Sequence, residues 1–277
     1  MTTTITFLGT AGTNAAVTKQ VRASGGIVIQ YEELQFHLDP GPGALLKCKE
    51  FGINPHNTTA LMISDNNIIH CNDANVLIDA MTHGGIERHG LIMGSKTVLQ
   101  GTETSHPFIT KFYQNLVDKV IPFEPNHRVG IDAVEIHSIP LQNPDPHATG
   151  FKFLFPNFTI SYVPDTASTM DLVEHLQGTD MLILNCPFPA DKAQGPSFDR
   201  ERATKLVAQV RPKLLVLTNF SIDMLKSDPL QEARLIQSTT NIQTIAATDG
   251  LKIAPEGFRS YKAPVKGFGN EAPRPVV

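Results

Sequence analysis

Apolar positions along the chain alternate or run together in short blocks, and clusters of glycine, proline, asparagine and aspartate separate the blocks. Thr4–Leu8 alternates and stops at Gly9-Thr10-Ala11-Gly12. Gly26–Tyr31 and Leu34–Leu38 flank Glu32-Glu33 and predict two strands of a tight hairpin. Asp39-Pro40-Gly41-Pro42-Gly43 must be a loop. Ala44–Phe51 predicts a helix, Ala60–Ser64 a wholly apolar strand, Asp73–Met81 a helix that Asp73 would cap, and Gly90–Met93 a strand. Phe108, Phe112 and Leu116 recur at a spacing of four and predict a helix over Ser105–Lys119. Further strands are expected at Ala133–His137, Gly150–Phe155, Phe158–Val163, Met181–Asn185, Leu214–Thr218 and Ile242–Ala246, with helices at Arg200–Val210 and Pro229–Ser238.

Hairpins come first, then strand–loop–helix units, then a second run of hairpins and further strand–helix units. That order predicts an α/β chain of two mixed sheets packed face to face with helices outside. No composition break marks a linker, so residues 1–262 read as one domain and residues 263–277 as a Pro- and Gly-rich tail.

With 41% apolar and 18% charged residues, the 277-residue chain can build a large core and does not read as disordered. A net charge of −4, no tryptophan and few aromatics argue against a nucleic-acid-binding role. The basic residues Arg200, Arg202, Lys205, Arg211 and Lys213 read as a solvated face. Three widely spaced cysteines, Cys48, Cys71 and Cys186, give no disulfide framework, and Cys71 reads as a small buried residue at a helix start. No apolar run approaches the roughly 20 residues of a membrane span and no leader is evident, so a cytoplasmic protein is expected.

Five strand-end loops carry the polar residues: Ser64–Asp73, Leu141–His147, Val163–Thr166, Gly195–Ser197 and Thr218–Phe220. Loops on a rigid scaffold are where sites concentrate. The remaining histidines, His37, His56, His83, His89, His106, His127, His137 and His175, read as solvated or hydrogen-bonded, and His37 as a structural residue beneath Asp39.

In these segments the chain resembles the metallo-β-lactamase-fold superfamily, in particular its ribonuclease Z-like hydrolase branch. FLGTAG (Phe7–Gly12) is similar to the family's opening, and HLDPGPGALL (His37–Leu46) to its Asp-bearing loop. ALMISDNNIIHCNDAN (Ala60–Asn75) is similar to the strand followed by S/T-H-x-H-x-D-H. NPDPHATGFKF (Asn143–Phe153), TISYVPDT (Thr159–Thr166) and PKLLVLTNFS (Pro212–Ser221) resemble the third, fourth and fifth motifs. The resemblance covers about residues 4–253 and implies a four-layer αββα sandwich with two metals held by seven side chains.

The departures from that pattern are chemically uniform. The four metal-facing positions of the second motif are Asp65, Asn67, Ile69 and His70. The third-motif histidine aligns with Asn143, or with His147 if the register slips by four, the bridging aspartate with Asp165, and the fifth-motif histidine with Asn219. Only His70 and Asp165 keep the family's residue type. Zinc takes imidazole, thiolate or carboxylate, whereas a neutral amide oxygen is a poor ligand and Ile69 offers none. The resemblance therefore implies a hydrolase homologue that is silent or strongly impaired, without a cofactor and with a polar pocket at the old active site. The alternative is a metal-dependent hydrolase of a phosphodiester, lactone or other ester, with one zinc or other divalent ion on His70, Asp165 and Asp65. Expected partners are a small-molecule ligand or a protein, with homo-oligomers in keeping with the family and no nucleic acid or membrane.

Overall fold

Strands that are apolar on both sides need a sheet neighbour on one face and helices on the other. The computed structural model, which describes residues 3–167 and 170–255, arranges them that way. One sheet holds β1 (Thr3–Phe7), β2 (Ile27–Tyr31), β3 (Leu34–Leu38), β4 (Ala60–Ile63), β5 (Leu91–Gly94) and β6 (Lys119–Pro122). The other holds β7 (Arg128–Ile131), β8 (Val134–Pro140), β9 (Thr149–Leu154), β10 (Thr159–Val163), β11 (Met181–Asn185), β12 (Leu214–Thr218) and β13 (Gln243–Ala246). A last short strand, β14 (Lys252–Ile253), returns to the free edge of β1, pairing Ile253 with Ile5.

The two sheets follow the same plan. Each begins as an antiparallel meander, β1–β2–β3 or β7–β8–β9–β10, and continues as parallel strands, β3–β4–β5–β6 or β10–β11–β12–β13. The parallel connections run through helices α2 (Ala44–Glu50), α3 (Ile68–Cys71), α4 (Ala74–Met81), α5 (Lys96–Gln100) and α6 (Lys111–Gln114) in the first half. In the second half they run through α7 (Met170–Leu176), α8 (Arg200–Val210), α9 (Ile222–Ser227) and α10 (Pro229–Thr240). A one-turn helix, α1 (Asn14–Thr18), follows β1.

Alternation along each strand sorts side chains into layers. Ile27, Ile29, Phe36, Met62, Phe151, Phe153, Ile160 and Val216 fill the space between the sheets. Val28, Leu61, Ile63 and Ile92 face outward under α2 and α4, and Leu182, Leu184, Leu215 and Leu217 face outward under α8 and α10. Across the central layer Phe36 meets Phe153 at 5.4 Å and Tyr31 meets Phe155 at 5.0 Å between ring centroids. Such pairs add roughly 0.5–1.5 kcal/mol each beyond their buried area.

The expected layers and most expected elements are present. The helix expected over Ser105–Lys119 is not: only Lys111–Gln114 is helical and Phe112 is exposed. Pro107 disfavours helix at His106, the backbone N–H of Ile109 donates instead to the Val98 carbonyl, and Lys119 pairs with Leu91 to begin β6. The chain from 263 to 277 lies outside the described residues. Among the described residues no helix is long and apolar enough to cross a membrane.

Phe153 is fully enclosed in the central layer. Phe153→Ala is expected to destabilise the fold by about 3–5 kcal/mol in urea unfolding, and a loss below about 1 kcal/mol would contradict the packing described.

Candidate functional site

The carboxyl ends of the parallel strands in each sheet open toward one edge, where loops can converge. Asp39 follows β3, Ser64 and Asp65 follow β4, and His70 sits on α3 just beyond. From the other sheet come Asn143 after β8, Tyr162 and Asp165 at the end of β10, Asn185 at the end of β11 and Asn219 after β12.

Three contacts pin the loops. The Thr149 N–H donates to the Ser64 carbonyl at 2.9 Å. Asp145, buried between two prolines, accepts from the Ser95 and Thr97 hydroxyls at 2.6 Å each and from the Asn66 and His147 N–H groups. The loop after β1 is zipped to the loop after β12, with Phe220 N–H donating to the Thr10 carbonyl at 2.7 Å and Gly12 N–H to the Phe220 carbonyl at 3.1 Å. Gly12 is required there, because a methyl group would meet the Asn219 carbonyl oxygen at 2.1 Å.

Inside this frame the polar side chains close on one another. His70 and Asp65 are each 2% exposed, and His70 Nδ1 meets Asp65 Oδ1 at 2.9 Å. The other ring nitrogen, Nε2, meets Asn219 Nδ2 at 3.2 Å. Asn219 holds a positive φ of 58°, which asparagine tolerates better than most residues. Asn143 Nδ2 donates to the Asp165 carbonyl at 2.8 Å and, at 3.4 Å, to Asp65 Oδ2. Asp39 accepts from Ser64 N–H at 2.7 Å, Ser64 Oγ at 2.8 Å and, across the sheets, Tyr162 OH at 2.7 Å. Asp165 is the exception: its Oδ1 is sealed, and the buried Asn185 amide beside it stands close enough to favour the carboxylate but not in good hydrogen-bond geometry.

Burial alone would strip the proton from His70. The surrounding Asp65, Asp39 and Asp165 outweigh it and push its pKa up to about 10. Burial also raises Asp165, to about 7, against the opposing pull of His70, and raises Asp39 and Tyr162. The two orientations of the Asn219 amide match the two states of the ring. Nδ2 facing Nε2 donates to a neutral imidazole, and the imidazolium needs the amide turned so that Oδ1 accepts.

The residues singled out from sequence fall into two groups. Asp65, His70, Asn143, Asp165 and Asn219 come together. Asn67 does not join them: it caps α3, its Oδ1 accepting from Ile69 N–H at 3.3 Å. Ile69 packs with Ala11, Ala16, Val17 and Ile222 in an apolar plug. Asp65 is bonded to the His70 ring. His147 enters the loop through its backbone N–H, and Asn143 supplies the side chain that reaches Asp65. Gly195–Ser197 leads into α8 and adds no side chain to this cluster. Cys71 ends α3 rather than starting a helix, and burial raises its thiol, so it is no nucleophile. Asp73 accepts from Leu45 N–H at the start of α2 and makes no side-chain cap on α4. His37 Nε2 donates to the Gly25 carbonyl at 2.9 Å, and burial lowers its pKa to about 4, so it is neutral.

Sequence reading missed Tyr162, Asn185 and Asp145. Tyr162 was detectable as the inward, alternate position of an otherwise aliphatic strand. Asp145 stood between two prolines, where a short acceptor side chain commonly ties a turn to itself.

A residue set fit for two metals needs donors that are free. Here His70 has both nitrogens engaged, both oxygens of Asp39 and Asp65 are occupied, and Asp165 Oδ1 is the carboxylate oxygen without a well-formed hydrogen bond. A zinc site takes about three protein donors, so an ion here would need these hydrogen bonds to open.

No family model matches the chain. It is 30% identical over 251 residues to the uncharacterized protein MJ1374 of Methanocaldococcus jannaschii, covering 90% of this chain and 94% of that one. Among solved structures it is similar to the metallo-β-lactamase fold protein YhfI from Bacillus subtilis, with a TM-score of 0.74 and 17% identity over 92% of this chain and all of that one. It is similar to a diphosphatase of the PhnP family (TM-score 0.69, 17% identity, 92% and 97% covered). It is also similar to the short form of human tRNase Z (0.68, 17%, 90% and 98%).

His70→Ala removes the cation that Asp65 is buried against and is expected to cost about 3–5 kcal/mol near pH 7. The folded ring holds its proton to about pH 10, while the unfolded ring releases it near 6.5. The cation's contribution is therefore complete below about 6.5 and lost as the pH rises through about 10. Urea unfolding of both proteins at pH 6 and pH 10 should show the gap between them narrowing at the higher pH.

Proposed function

The chain has the metallo-β-lactamase fold and belongs to the same family as the Methanocaldococcus jannaschii protein, and on that premise we propose that it is a hydrolase homologue of the metallo-β-lactamase superfamily whose two-metal centre has been replaced by a closed polar cluster, leaving it catalytically silent or strongly impaired. One observation carries this reading: the single imidazole kept at the family's ligand positions is engaged on both nitrogens, by Asp65 at 2.9 Å and Asn219 at 3.2 Å.

Hydrolysis on this fold works by two metals that lower the pKa of a bound water and stabilise the leaving oxygen. Neither task falls to the groups present. Asn143 and Asn219 are neutral, His70 spends its proton on Asp65, and Ile69 turns its apolar side chain into the plug. The remaining polar rim of Asn143, Asn219 and Asp165 suits a small polar ligand, or the face serves a protein partner or a second copy. The buried, unpaired Cys48, Cys71 and Cys186 suit a reducing cytoplasm.

A second reading rests on the sealed Oδ1 of Asp165, which lacks a well-formed hydrogen bond. A buried oxygen of that kind calls for a partner, and a single divalent ion on Asp165, Asp65 and His70 would supply one after the His70–Asp65 bond opens.

Metal analysis after dialysis against zinc, iron or manganese separates the two. The silent reading predicts that Asp165→Asn changes the metal content by nothing and that phosphodiester, diphosphate and lactone substrates are not turned over. About one equivalent lost in Asp165→Asn, with turnover abolished by chelation, would reject it. The combined change Asp65→His, Asn67→His, Ile69→Asp, Asn143→His and Asn219→His is expected to restore metal uptake, since the ion then partners the carboxylate placed in the plug.

A further inference from the structure

At the opposite edge of the first sheet, before β4 and β5 begin, two imidazoles and a carboxylate meet on segments far from the polar cluster. His56 lies in the turn Pro55–Asn57, and His83 and Glu87 lie in the bend that ends α4. The rings of His56 and His83 are stacked at 3.9 Å with 8° between their planes. Glu87 Oε2 is 3.5 Å from His56 Nε2 and 3.8 Å from His83 Nδ1. One ligand atom from each of the three residues lies within 4.8 Å of the other two. We propose that His56, His83 and Glu87 form a surface site for zinc(II), with an open coordination position and no part in the polar cluster.

Three observations support it. Bonds of 2.0–2.2 Å at tetrahedral angles set donor atoms roughly 3.4 Å apart, close to the 3.5 and 3.8 Å gaps to Glu87. His56 Nδ1 is 2.8 Å from the Met81 carbonyl, which can only accept, so Nδ1 carries a proton and Nε2 is the ring nitrogen left to face Glu87. A backbone carbonyl holding the far ring nitrogen is the usual support of a metal-bound histidine. The approach is acidic, because a cavity of about 300 Å³ bordered by His56 and His89 is also lined by Glu32 and Glu33.

Two nitrogens and one oxygen select zinc or copper over calcium and magnesium, which take oxygen alone. In the parallel stack the two lone pairs run side by side. Both side chains are at least partly solvent-exposed, so a modest tilt brings them onto one ion without disturbing the core. His89 lies 5.5 Å from the His56 ring, and its Nε2 is enclosed without a partner, a second polar group on the same side.

The test is calorimetric titration of zinc chloride into metal-free full-length protein near pH 7.5, with cobalt(II) absorption as the spectroscopic companion. The wild-type chain is expected to take one equivalent, and His56→Ala and His83→Ala are each expected to weaken that binding by roughly tenfold or more. The cobalt band should vanish with the zinc equivalent in the double variant, while Asp165→Asn keeps both. No zinc uptake by the wild type, or wild-type stoichiometry and affinity in the His56→Ala/His83→Ala double variant, would overturn the proposal. Loss of zinc in Asp165→Asn alone would place the ion at the polar cluster and overturn it too. The three positions are on the surface, and unchanged circular dichroism of the variants checks that the fold is intact.

Discussion

A buried histidine held among three aspartates is the constraint around which the strand-end loops are arranged. His70 comes from the first sheet, and so do two of the carboxylates near it, Asp39 and Asp65. The groups that complete the shell, Tyr162, Asn143, Asp165 and Asn219, come from the second. Charge and hydrogen bonding thus join the two halves at the one edge where the apolar layer between the sheets gives out. In an environment of low dielectric such a network is strong when satisfied and costly when not, which gives the sealed Oδ1 of Asp165 its weight.

Closure of that edge also depends on close backbone approach. The β1 loop lies on Asn219 with room for a hydrogen atom at Gly12 and nothing larger, and Gly41 lies as tightly on the Ile69 carbonyl, where an added carbon would stand 2.0 Å away. These contacts press the plug of Ala11, Ala16, Val17 and Ile69 beside the cluster. A framework that holds two hydrated cations needs space and free donors at the same place. Here hydrogen bonds and an aliphatic plug lie side by side at that place, and the packing of the two sheets beneath rests on apolar contacts alone.

The layered architecture was legible because alternation and run length are local properties of a strand. Met181–Asn185 and Leu214–Thr218 read as strands from their apolar runs, and both are strands buried along their whole length. The region after α5 was illegible for a complementary reason. Phe108, Phe112 and Leu116 carry helical spacing, but Pro107 and the pairing of Lys119 with Leu91 override it, and the second of these is a contact between segments about thirty residues apart.

The site divides in the same way. The residue types at the strand ends, and the loss of imidazole from most of them, follow from the order of the amino acids, because each motif is a short stretch beside a recognisable strand. Which side chain meets which does not follow from that order. That Asp65 turns to His70, that Asn67 spends its oxygen on a helix end, that Asp73 serves α2 instead of α4, and that His56 stacks on His83 are outcomes of loops meeting in space. Hydrogen bonds and charges act over a few ångströms between groups whose sequence separation carries no record of their distance, so only the folded chain decides them.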